Sequence, residues 1–184
     1  MMKDLSVNKT YGTFTSDTEV RFERLLPGPI ETVWEYLTDS EKRGTWLAKG
    51  DMELKVGGKV ELNFLHSSLS DEKTYPDRFK AMENGISGVE TVTAIDAPRL
   101  LSFTWHPDSE VSFELVERGE DVLLTLRHRK LTDENGKLMV SSGWHTHLDI
   151  LVSKLYKESV PKFWQTFAQY ETSYEEKLKT IVKK

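Results

Sequence analysis

The chain has 184 residues, a formal net charge of −5, 38% hydrophobic and 30% charged residues, which fits a globular domain rather than a disordered or fibrous one. It contains no cysteine, which excludes disulfide scaffolds, thiolate nucleophiles and cysteine-held zinc or iron–sulfur centres. The acidic balance argues against nucleic-acid binding, no run approaches the ~20 apolar residues of a membrane span, and the polar N-terminus lacks a secretory pattern, so a cytoplasmic protein without membrane insertion is expected.

Residues 1–17 lack periodicity and read as a flexible leader. Residues 18–26 alternate polar and apolar, with Val20 and Phe22 on one face, which predicts a strand. Pro27-Gly28-Pro29 stops it, and Pro29 suits the first turn of a helix. Ile30, Val33, Trp34 and Leu37 then recur at helical spacing. Thr38-Asp39-Ser40 breaks this helix and caps a second short one ending near Trp46. Gly57-Gly58 predicts a turn, and Val60, Leu62 and Phe64 alternate after it as a strand.

Residues 66–87 form a long polar insertion with a short helix over 76–83, either a lid or a surface loop. Strands follow over 88–96, 100–105, 110–117 and 121–130. Their short separations favour antiparallel hairpins, because parallel neighbours need long crossovers. On the last strand Val122, Leu124, Leu126 and His128 share one face. Residues 132–137 read as a polar loop turning at Asn135-Gly136, with Ser141 or Ser142 capping a helix that begins near Gly143. Trp144, Leu148, Leu151 and Leu155 make one apolar stripe on it. Pro161 permits a fresh helix with Phe163, Phe167, Tyr170, Tyr174, Leu178 and Ile181 as its stripe.

The residues that carry a family likeness are Pro29-Ile-Glu-Thr-Val-Trp-Glu-Tyr-Leu-Thr38, Trp46, Gly57-Gly58-Lys59, Gly88-Val89 through Ala97-Pro98-Arg99-Leu100, Phe103-Thr104-Trp105, Leu124-Thr-Leu-Arg-His128, and Gly143-Trp144 through Leu148. In this order, over about residues 20–156, they resemble the START-like superfamily, also called SRPBCC or helix-grip. The branch they resemble is related to the C-terminal domain of the activator of Hsp90 ATPase. The resemblance implies an α+β helix-grip fold, a curved antiparallel sheet wrapped around a long C-terminal helix with a cavity between them. It divides the chain into a leader (1–17), a START-like domain (18–160) and a helical extension (161–184). Relatives hold lipids, sterols or polyketides, and some are cyclases or aromatases. The leader is too short for the separate N-terminal domain of the full co-chaperone, so Hsp90 is not the expected partner.

Within that fold, the inward positions Phe64, Phe103, Trp105, Phe113, Leu115, Leu126, Trp144, Leu148 and Leu151 either line the cavity or fill the core. His128 is either a hydrogen-bonding or acid–base group in the cavity or a satisfied core histidine. His145-Thr146-His147 looks like a metal word, but helical neighbours two apart point away from each other, so no metal site is expected. A surface hydrogen bond or ion pair from His145 to Asp149 is the expectation instead. Phe79 and Met82 would pack inward from a closed insertion, with Arg78 placed to meet an anion, and the carboxylates at Asp71-Glu72 and Glu175-Glu176 read as solvated surface. No phosphate loop, nucleophile elbow or His-Glu-x-x-His word is present, and no cofactor is expected. The chain therefore reads as a non-catalytic binder of a small hydrophobic ligand. The alternatives are a polyketide cyclase- or aromatase-like enzyme and a co-chaperone-like interaction module.

Overall fold

The structure is a computed structural model and describes residues 4–181. Its frame is a seven-stranded antiparallel sheet in the order β1-β2-β7-β6-β5-β4-β3. The strands are β1 (Thr13–Ser16), β2 (Glu19–Pro27), β3 (Lys59–Phe64), β4 (Ile86–Asp96), β5 (Leu100–Trp105), β6 (Ser109–Arg118) and β7 (Asp121–Arg129). The helices are α1 (Ile30–Thr38), α2 (Ser40–Gly44), α3 (Glu134–Tyr156) and α4 (Phe163–Ile181). Strands β3 to β7 follow one another as hairpins. Strand β2 instead pairs with β7, so α1 and α2 carry the chain across to the far edge, where β3 begins.

Alternation decides the inward face. Val20, Phe22, Arg24 and Leu26 are buried on β2, opposite Val122, Leu124, Leu126 and His128 on β7. Helix α3 covers this face, and α4 packs in turn on α3, so α3 is buried on more than its apolar stripe. This is the α+β helix-grip architecture that the sequence resemblance implies. No helix among the described residues is long and apolar enough to cross a membrane.

Two expectations change, and two open points are settled by packing. Helix α3 starts a full turn and more before Gly143, because Asp133 caps it by accepting from the Gly136 N–H at 2.8 Å. What reads as a loop turning at Asn135-Gly136 is its first turn. The described part of the leader is packed rather than flexible: β1 pairs with β2, and the Asn8 amide bonds both backbone groups of Leu25 at 2.8 and 2.6 Å. Residues 1–3 of that leader lie outside the described residues. The insertion is ordered by two 3-10 turns, His66–Ser68 and Asp77–Met82. The extension is joined to the body, with Phe163, Trp164, Phe167 and Tyr174 buried.

Candidate functional site

A cavity of about 580 Å³ lies between the β3–β4 end of the sheet and α3. Phe64 at the end of β3 and Trp105 at the end of β5 wall it on the sheet side, and Trp144 and His147 of α3 stand across from them. The early start of α3 brings Met139, Val140 and Gly143 to the wall as well. Ile86 and Val89 line it while remaining exposed, so the rim is apolar. A glycine inside a helix costs about 1 kcal/mol relative to alanine. At Gly143 a Cβ would meet nothing within 4 Å, so the missing side chain leaves cavity volume free. Among the described residues no lysine or arginine lines the space, and Glu90 supplies its one carboxylate. Both Glu90 oxygens are engaged, one by the His106 N–H at 2.9 Å and the other by the Thr104 hydroxyl.

Three histidines line the wall, of which His66 and His147 are buried and His106 is exposed at the rim. The His147 Nδ1–H donates to the Trp46 carbonyl at 2.7 Å. A carbonyl only accepts, so this bond sets the tautomer and leaves Nε2 as a bare acceptor. His66, from the first turn of the insertion, lies among aromatic rings, 4.6 Å from Phe163 and 5.0 Å from Trp164 between centroids. Its Nδ1 is buried without a partner. Burial pushes the His66 pKa down to about 4 and the His147 pKa to about 3, so both rings are neutral at pH 7.

The insertion closes over this end of the molecule by gripping α4. Phe79 stacks on Trp164 at 4.7 Å, and Arg78 forms a forked pair with Glu171, one arm at 2.8 Å. Glu72 accepts from the Trp164 N–H at 2.6 Å, and Ser70 accepts from the Phe163 N–H at 3.2 Å. These bonds satisfy donors that a helix start leaves open, and the carboxylate suits the positive end of the helix. Arg78 is therefore held by a carboxylate of this chain rather than by an anionic ligand. Glu72 is a cap rather than solvated surface.

His128 is bonded at both nitrogens. Its Nδ1 accepts from the Trp144 indole N–H at 2.9 Å. Its Nε2 lies 2.8 Å from the Ser109 hydroxyl, which donates to the Trp105 carbonyl at 2.9 Å. The donors run one way, from Trp144 through His128 and Ser109 to Trp105, which places the imidazole proton on Nε2. Burial lowers the His128 pKa to about 3. It is a satisfied core histidine, and its partner comes from another element, where sequence adjacency did not disclose it.

His145 points to the other side of α3, as the helical spacing predicts, but it is buried rather than at the surface. The Tyr174 hydroxyl accepts from the Gly12 N–H at 2.7 Å and is hydrogen-bonded to the His145 Nδ1 at 2.9 Å. The His145 ring stacks on Tyr170 at 3.6 Å. Tyr170 donates to Asp149, whose carboxyl burial pushes up from the usual range. Buried Arg24 stands 3.8 Å from Asp149 and donates to the Thr10 and Glu23 carbonyls at 3.2 and 2.8 Å. This cluster ties the N-terminal segment to α4. Among the described residues no group of three or more His, Asp or Glu is placed to hold a metal ion.

Of the candidate ligand-binding residues, Phe64, Trp105 and Trp144 line the cavity. Phe103, Phe113, Leu115, Leu126, Leu148 and Leu151 are buried in the core, away from the cavity wall, as is His128. Met82 reaches the lining from the insertion, while Phe79 packs on α4 instead. His66, Glu90, Met139, Val140 and His147 were not among the candidates. His66 and Met82 sit in the polar insertion, Met139 in the stretch read as leading into the helix, and only the two-residue offset of His147 from His145 hinted that it faces inward.

The family model described as "Activator of Hsp90 ATPase homolog 1-like protein" matches residues 27–155. No curated protein matches the chain. The fold is similar to a solution NMR structure of a Bordetella parapertussis protein, at 42% identity over 90% of this chain and 88% of that one, TM-score 0.79. A conserved protein from Enterococcus faecalis is similar at 21% identity over 96% and 95% of the two chains, TM-score 0.68. CalU16 from Micromonospora echinospora is similar at 22% identity over 86% of each chain, TM-score 0.65. With more than half of its length matched and the helix-grip fold around an apolar cavity, the chain belongs to the family of activator of Hsp90 ATPase homolog 1-like proteins.

Proposed function

We propose that this protein binds a small apolar or amphipathic molecule in the cavity between the sheet and α3 and holds it without chemistry. The observation that carries this reading is a cavity of about 580 Å³ with aromatic and aliphatic walls, inside the range of roughly 300–1,000 Å³ typical of small-molecule sites. Gly143 supports it, since a residue with a side chain there would stabilise α3 and fill the space. The cyclase reading is drawn around His128, which is bonded at both nitrogens and stands outside the lining, and burial holds the lining imidazoles of His66 and His147 neutral, with pKa values of about 4 and 3. The co-chaperone reading rests on the family's description alone.

The test fills the cavity from the helix. Gly143→Leu should hold or raise the melting temperature, because leucine is the better helix former by about 0.7–1 kcal/mol. The same change should abolish the fluorescence change of pyrene titrated into the wild-type chain. Pyrene binding that survives Gly143→Leu would place the ligand elsewhere, and a wild-type chain that binds no apolar probe would end the proposal.

A further inference from the structure

Resting on that ligand-binding reading, we propose that the cavity selects an uncharged molecule bearing a hydroxyl, which donates to the His147 Nε2 and accepts from the His66 Nε2–H. The bond from His147 to the Trp46 carbonyl leaves Nε2 with a lone pair and no proton. Among the described residues nothing bonds that nitrogen, and it is not sealed off like the His66 Nδ1. For His66 the argument runs the other way. A proton on the buried Nδ1 would be a donor with no acceptor, which is costly, so the proton belongs on Nε2. The two ring centroids are 5.7 Å apart, so the imidazoles are neighbours on the cavity wall, and an oxygen placed between them is within reach of both rings. A hydroxyl is the common group that donates once and accepts at the same atom.

Charged head groups fit worse. A carboxylate only accepts, so it would face the bare His147 nitrogen lone pair to lone pair and would add to the charge of Glu90. Among the described residues no lysine or arginine lines the wall to neutralise it, and burial keeps the His66 and His147 imidazoles uncharged. An ammonium finds aromatic faces at Trp105 and Trp144, but the Glu90 oxygens are already engaged by His106 and Thr104. It would also oppose the His66 N–H.

Four probes on one ring system separate these possibilities: pyrene, hydroxypyrene, pyrene carboxylate and pyrene methylammonium, titrated at pH ~7 against the full chain. Hydroxypyrene should bind roughly five- to tenfold tighter than pyrene, and both charged probes should bind more weakly than hydroxypyrene. His147→Asn keeps a donor for the Trp46 carbonyl and removes Nε2. His66→Phe keeps the aromatic packing, breaks no hydrogen bond within the protein, and so remains informative if the first variant fails to fold. In each variant the ratio of hydroxypyrene to pyrene affinity should fall towards one. Binding of pyrene with no preference for its hydroxyl form, a preference unchanged in both variants, or a charged probe that binds tightest would overturn this inference and leave the cavity reading standing. Failure of all four probes to bind would overturn the cavity reading itself.

Discussion

Trp144 shows how one side chain can serve two neighbours at once. Its ring walls the cavity while its indole N–H is held by His128 from the far side. A buried imidazole with both nitrogens bonded is rigid, and it orients the indole that a ligand would touch. His128→Ala should therefore lower stability by roughly 2–4 kcal/mol, since it opens a void, strands the buried Trp144 indole N–H and removes one of the two bonds of the half-buried Ser109 hydroxyl. The midpoint of urea unfolding measures this, and an unchanged midpoint would mean the chain of bonds contributes nothing. His66 is the opposite case. Its side chain gives the fold no hydrogen bond, so its imidazole is better explained by what it offers the cavity than by what it gives the core.

At the scale of elements, the insertion and α4 behave as one clasp. Glu72 and Ser70 bond the first N–H groups of α4, and Phe79 stacks on Trp164. Glu72→Ala should raise hydrogen exchange in the insertion and in the first turn of α4 together, with a loss of about 1 kcal/mol in local stability, as for other helix caps. Arg78→Ala should cost less than ~1 kcal/mol despite its forked geometry, because half of the Arg78 side chain is exposed. Exchange that rises in only one of the two segments after Glu72→Ala would show that they move independently.

Across the whole molecule, four histidines are buried in neutral form: His66 with a pKa of about 4, and His128, His145 and His147 with pKa values of about 3, each lowered chiefly by burial from 6.5. Above pH 6.5 folded and unfolded chains both hold neutral rings, and these groups leave stability unchanged. Below it the unfolded chain takes up protons that the folded chain refuses, so stability falls as the pH drops from 6.5 towards 4 and 3. Each histidine contributes about 2 kcal/mol of this loss at pH ~5. The melting temperature should be flat between pH ~7 and 8 and fall steeply below pH ~6.5. A curve flat to pH ~5 would mean that the rings are solvated rather than buried. The histidines sit on both sides of α3, so acid should release the cavity wall and the N-terminal cluster together.

Local periodicity settled most of this architecture, because strand alternation and helical spacing are written in residues close together in the chain. The strands around Phe22, Phe103, Phe113 and Leu126, the stripe through Trp144 and Leu148, and the fresh helix after Pro161 could all be read that way. Residue order also showed that His145 and His147 face opposite ways. Periodicity separates inward from outward positions, but it does not distinguish a core from a cavity. Phe113 and Phe64 alternate in the same manner, yet one meets other core side chains and the other meets empty space. That difference was decided by distant pieces arriving at one end of the sheet: the insertion with His66 and Met82, the early turns of α3 with Met139 and Gly143, and α4 clasped over them. Tertiary structure also chose the hydrogen-bond partners of the buried histidines, because a neutral imidazole is satisfied by whichever group packing brings within about 3 Å.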